Sequence, residues 1–267
     1  MASYPRPVGQ DCRIADVRCS HGRSGFRPDP PGDEHVLVVV RRGAFTRRTP
    51  GGTVLHDATT GYLTRPGEPE EFAHPVDGAD DCTAIRLSPR LLASLAGGDP
   101  SLSVPDLPLS PAAHHAMRRA CMLPGPAGRE EAVVLAIAGL LSRRVPRLVA
   151  AGRPGTAAAR RRLVDEAREI LHSEPRTGVT ELARRVGCSP HHLSRLFSQL
   201  TGGGVSRYRN RIRVAEAMER VSDGEPDLAA LAGDLGFADQ AHLTRTVRAL
   251  TGQPPRAWRG ARTGPQP

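Results

Sequence analysis

The chain has 267 residues, 39% of them hydrophobic, and carries a formal net charge of +9 with a pI near 10.4. This length allows two domains with separate cores, and the charge suits a polyanionic partner. No apolar run is long enough to span a membrane and the first residues lack the plan of a signal peptide, while the five scattered cysteines (Cys12, Cys19, Cys82, Cys121, Cys188) have no metal-finger spacing; a reducing cytoplasm is expected.

Residues 1 to 34 are rich in Pro, Gly and Arg and predict an irregular arm. His35 to Val40 is a β-branched apolar run, the pattern of a buried strand. Gly43 to Thr53 reads as strand, Thr49-Pro50-Gly51-Gly52 turn and strand onset. Val54 to Asp57, Thr60 to Thr64, Glu71 to Ala73 and Cys82 to Leu87 are further short strands between Pro/Gly turns. Strands so spaced predict a β-sandwich or small barrel.

From Ser110 the apolar period becomes helical. Ser110-Pro111 starts a helix to about Met122, and Leu123-Pro124-Gly125-Pro126 ends it. A second helix is expected from about Gly128 to Leu148, with Val133, Ile137, Leu140, Leu141 and Val145 on one face. Residues 150–155 have the Ala/Gly/Pro composition of a linker. Beyond it the positive charge is concentrated: 18 arginines stand against 12 acidic residues from Thr156 onward, and 19 against 16 before it. Every basic residue is Arg, which with the abundance of Ala, Gly and Pro reflects a GC-rich genome rather than a function.

The region after Thr156 contains a duplication. Leu193-Ser194-Arg195, Leu200-Thr201-Gly202 and Tyr208-Arg209 return fifty residues later as Leu243-Thr244-Arg245, Leu250-Thr251-Gly252 and Trp258-Arg259. Leu182-Ala183 and Gly187 return as Leu231-Ala232 and Gly236. In each copy a short helix (Val179 to Val186; Asp227 to Leu235) meets a glycine, and a turn leads into a second amphipathic helix. That is the helix-turn-helix plan, whose second helix enters the DNA major groove. Thr156 to Ser173 is expected as an opening helix, and Val205 or Ser206 to Val221 as the helix joining the two units.

These motifs, with Ser189-Pro190, Gly236-Phe237-Ala238-Asp239-Gln240 and Thr251-Gly252-Gln253-Pro254-Pro255, resemble the C-terminal domain of the AraC/XylS family of transcription regulators. The resemblance covers roughly Arg162 to Arg259. Arg65-Pro66-Gly67-Glu68 followed by Phe72 and His74-Pro75 is similar to half of a cupin barrel, a domain that such regulators often carry. The expected architecture is therefore α+β: a cupin-like sensor or dimerisation domain over 1–149 with two trailing helices, the linker, an all-α double helix-turn-helix over 156–260, and a disordered tail over 261–267. The resemblance implies binding to double-stranded promoter DNA, contact with RNA polymerase, activation, a homodimer through the helix pair, and a small-molecule effector of unknown identity.

Outward positions near the start of each second helix are the base-reading candidates: His191, Ser194 and Arg195, then Gln240, Ala241, His242 and Arg245. Arg suits the guanine edge and Gln the adenine edge. Arg207, Arg209, Arg211 and Arg256 are candidates for the phosphate backbone, though Arg211 or Arg213 could instead hold the two units together through acidic partners such as Glu216. Phe237, Tyr208 and Trp258 are expected as packing anchors. His21, His35, His56, His74, Cys19 and Cys82 are dispersed, and the paired His-x-His with Glu of a metal cupin is missing, so neither a metal nor a cofactor is expected. For the same reason an enzyme is not expected, the alternatives being a cupin-fold enzyme or a purely dimerising domain fused to the DNA-binding module.

Overall fold

The computed structural model describes residues 2–7, 11–98, 102, 104–142 and 154–259. Strands come first: β1 (Ala2–Pro7), β2 (Cys12–His21), β3 (Ser24–Asp29), β4 (His35–Arg42), β5 (Ala44–Thr49), β6 (Gly52–Asp57), β7 (Thr60–Leu63), β8 (Glu70–His74) and β9 (Gly78–Leu87). A short helix α1 (Pro89–Leu95) and strand β10 (Val104–Pro108) complete this part. Among the described residues the strands form two antiparallel sheets, in the orders β1-β2-β9-β4-β7-β10 and β3-β8-β5-β6.

β4 shows why the apolar run is continuous. Val38 and Val40 face the other sheet, where they meet Phe45 and Phe72. Leu37 and Val39 face the opposite way, onto helices α2 (Pro111–Met122) and α3 (Pro126–Ser142), against Met117, Val133 and Ile137. A strand buried on both faces has no polar side to alternate. The result is a cupin-like pair of facing sheets with the helices laid over the larger one. The expected helix pair is present, each helix following the proline that starts it; residues 143–148 of the second lie outside the described residues.

The arm predicted over 1–34 is corrected by the structure. β2 pairs with β9 along its whole length, from Cys12↔Leu87 to His21↔Gly78, and β1 pairs with β2 at the sheet edge. The signal was hidden because, Ile14 apart, the buried residues of β2 are small or polar: Cys12, Ala15 and Asp16. Burial of Asp16 is compensated by Arg41, which bonds it at 2.7 Å, and by the Thr83 hydroxyl at 3.4 Å. Pro5 and Pro7 are admissible because β1 is an edge strand, where a missing N–H costs little.

The C-terminal part is helical: α4 (Pro154–Ser173), α5 (Val179–Arg185), α6 (Pro190–Thr201), α7 (Val205–Ser222), α8 (Leu228–Asp234) and α9 (Gln240–Thr251), then a 3-10 turn at Pro255–Trp258. α4 starts two residues before the expected Thr156, with Pro154 in the first turn, where a missing N–H is harmless. The remainder of the linker and the tail after Arg259 lie outside the described residues. Two cores form. Val164, Leu171, Leu182, Leu193, Phe197 and Tyr208 build the first, and Val214, Val221, Leu231, Phe237, Leu243 and Trp258 the second. α7 contributes to both and fixes their separation.

The two parts of the chain are docked through reciprocal ion pairs. The fully buried carboxylate of Asp57, at the end of β6, accepts from Arg168 Nη2 at 2.7 Å and Tyr208 Oη at 2.5 Å, and His172 Nε2 lies 3.4 Å away. In the other direction, α7 presents Glu216 to Arg42 and Glu219 to Arg118 and Arg41, and Asp223 at its C-terminal cap pairs with Arg18. Burial alone would raise the Asp57 pKa, but Arg168, His172 and Thr59 outweigh it and hold the carboxyl well below its usual range.

Candidate nucleic-acid interface

Each helix-turn-helix is set up by the same local chemistry in both copies. The turns pass through Gly187 and Gly236 at φ of 70° and 74°, a left-handed conformation that other residues rarely adopt. Ser189 then caps α6 by accepting from the His192 N–H at 3.2 Å, and Asp239 caps α9 by accepting from the His242 N–H at 2.6 Å. The far ends match too. Thr201 Oγ1 donates to the carbonyls of Phe197 and Gly203, as Thr251 Oγ1 does to those of Val247 and Gln253. The Thr-Gly repeat in the sequence is thus a repeated helix stop.

With the ends fixed, the apolar stripe decides what faces outward. On α6 Leu193, Leu196 and Phe197 are buried, which leaves His191, Ser194 and Arg195 exposed. On α9 Leu243 and Val247 are buried, and Gln240, Ala241 and Arg245 are exposed. His242 differs. It is half-buried, its ring lies edge-on to Phe237 at 5.4 Å, and its Nδ1 accepts from the Ala238 N–H at 3.3 Å. One of its ring nitrogens is therefore occupied in closing the turn.

The arginines named for the phosphate backbone divide. Arg207 and Arg256 are exposed. Arg209 donates to the Thr177 carbonyl, and Arg211 to the Leu109 carbonyl of the N-terminal part. Arg213 bonds the carbonyls of Gly236 at 3.1 Å and Pro175 at 3.0 Å, joining the turn of the second unit to the end of α4. Its partners are carbonyls, whereas Glu216 pairs with Arg42. Burial lowers the pKa of Arg213, with Arg209 and Arg176 adding to the effect. Tyr208 and Trp258 are buried as anchors, and each also meets the N-terminal part: Tyr208 at Asp57, and Trp258 by a 4.4 Å edge contact with His115. That second task of the repeat was not visible in the sequence, because the partners lie more than a hundred residues away.

Between the two sheets lies a cavity of about 830 Å³. Phe45, Tyr62 and Phe72 supply apolar wall, and Arg23, Arg27, Glu34 and Glu70 supply charge. Of the dispersed His and Cys residues, His35 bonds the Thr64 carbonyl at 3.1 Å and His56 is fully buried against Tyr62. Cys19, His74 and Cys82 line the cavity.

Residues 182–261 match the family described as a helix-turn-helix domain. Over 92 residues, 34% of this chain, the sequence is 30% identical to the uncharacterized HTH-type transcriptional regulator SAS0078 of Staphylococcus aureus, and it spans only 12% of that protein's length. Among solved structures, ToxT from Vibrio cholerae aligns over 96% of this chain and 100% of its own at 11% identity and a TM-score of 0.40. A transcriptional regulator from Chromobacterium violaceum, described as containing an AraC-type DNA-binding domain, aligns over 41% of this chain and 99% of its own at 25% identity and a TM-score of 0.38.

Proposed function

We propose that the C-terminal part, whose residues 182–261 match a helix-turn-helix family, is the AraC-type DNA-binding domain of a transcription regulator and that both of its units read bases in promoter DNA. The observation that carries this reading is the equivalence of Arg195 and Arg245. Each is exposed, one position after a polar residue, on a helix whose ends are fixed by the same caps. A guanidinium presented this way suits the two acceptors of a guanine edge. His191, Ser194, Gln240 and Ala241 flank the two arginines, and His242 offers its remaining nitrogen. Arg207 and Arg256 grip phosphates; Arg209 and Arg211 would have to leave their carbonyl partners to do so.

The protein acts in the cytoplasm as an activator that contacts RNA polymerase. The cavity between the sheets receives a small molecule, and α2 and α3 form a homodimer contact, to which Leu135, 65% exposed on α3, contributes apolar surface. Among the described residues no helix is long and apolar enough to cross a membrane.

Selection of random duplex DNA with the full-length protein tests the reading. A two-part consensus is expected, with half-motifs about 10 base pairs apart. Arg195→Ala and Arg245→Ala should each lose about 1–3 kcal/mol of discrimination, at different halves, by fluorescence anisotropy. Enrichment of a single half-motif, or equal loss at both, would defeat the claim that both units read bases.

A further inference from the structure

We propose that the cavity of the N-terminal domain carries a zinc-type metal site formed by Cys19, His74 and Asp80. The three come from β2, β8 and β9, so neither sheet alone holds the set. Cys19 stands opposite Asp80 in the β2–β9 register, which points both side chains to the same face. β8 of the facing sheet brings His74 to them. Its Nε2 is 3.1 Å from Asp80 Oδ1. One donor atom from each of the three residues lies within 4.8 Å of the others.

The donor chemistry is specific. Thiolate, imidazole and carboxylate are the ligands that Zn²⁺ takes, at about 2.3, 2.0–2.1 and 2.0–2.2 Å. Around a tetrahedral ion with such bonds the donors stand roughly 3.3–3.8 Å apart. Closing from 4.8 Å therefore asks for about one ångström, within the reach of side-chain rotation on fixed strands. The second ring nitrogen of His74, Nδ1, lies 3.3 Å from Ser24 Oγ, the kind of outer hydrogen bond that orients a ligating imidazole. All four residues line the cavity, so the fourth coordination position opens into it. Binding exchanges the Cys19 thiol proton for the metal and releases that proton to solvent. The site stands whether or not an organic molecule also enters the cavity, and it is independent of DNA binding.

Full-length protein stripped with a chelator would be titrated with Zn²⁺ against a competing indicator, and with Co²⁺ while its absorption is followed. One equivalent of metal per chain and a thiolate-to-cobalt charge-transfer band are expected. Loss of an outer partner costs a metal site about 10–100-fold, so Cys19→Ser and His74→Gln should each weaken binding by at least tenfold. Cys19→Ser should also abolish the band, while Cys188→Ser, outside the cavity, leaves both readouts unchanged. Should a cavity variant fail to fold, the wild-type Co²⁺ spectrum still decides. Absence of the band in wild type, or its survival in Cys19→Ser, overturns the proposal.

Discussion

His114 shows how one residue can set the response to acid. It is buried beneath β4, with Nε2 3.0 Å from the Val40 carbonyl. Burial lowers its pKa from 6.5 to about 4, opposed by that hydrogen bond and helped by Arg118 and Arg211. The unfolded chain therefore binds a proton at this position, between pH 6.5 and about 4, that the folded chain refuses. Stability should fall as pH drops through that window, by up to about 3 kcal/mol from this group. Urea denaturation at pH 7 and pH 5 checks it, and His114→Gln should reduce the dependence by this group's share, leaving that of His56 and His115, whose pKa values burial also lowers. On the face proposed to meet DNA, a residue that contacts phosphate is expected to behave differently from one that reads a base. Arg207→Ala should weaken all duplexes alike and reduce the slope of log affinity against log salt by about 1.

For the recognition helices, the ends are as important as the faces. α6 and α9 have the same length, caps of equal kind and the same Thr-Gly stop, although their buried stripes differ. The stripe is Leu193, Leu196 and Phe197 in one, and Leu243 and Val247 in the other. With less aromatic volume below it, α9 depends more on its cap. Asp239→Ala should cost about 1 kcal/mol in thermal or chemical denaturation. Gly233, a residue that costs about 1 kcal/mol relative to Ala in a helix interior, sits near the end of α8, and its carbonyl accepts from Arg176.

Across the whole molecule, docking between the sheets and the helical domain is ionic, with each side supplying both signs. Removing one partner of a buried pair leaves an uncompensated charge and costs about 3–5 kcal/mol. Asp57→Ala should therefore undock the parts, raising the radius of gyration in small-angle scattering and splitting the thermal transition in two. The pH dependence has the same sign as that of His114 but lies at lower pH. Because the Asp57 carboxyl is held below its ordinary value, the stabilisation it supplies is complete above about pH 4 and is lost only as pH falls further. A transition that stays single in the variant would count against Asp57 as the anchor.

Local chemistry alone made much of this protein legible. Ser110-Pro111, Ser189-Pro190 and Asp239 announce helix starts, Gly187 and Gly236 mark the turns, and the fifty-residue repeat reveals two units. The continuous apolar run of β4 reveals a strand covered on both sides. Each of these depends on residues within one turn or one strand of each other, where spacing determines geometry. What the tertiary structure alone decided depends on distant partners. β2 is a strand because β9 offers it a register and Arg41 neutralises Asp16. Arg211 turns to Leu109, Tyr208 reaches Asp57 across 151 positions, and Cys19, His74 and Asp80 converge from two sheets. Such contacts leave no periodic trace, because loop lengths and sheet order, rather than the neighbouring residues, determine which side chains meet.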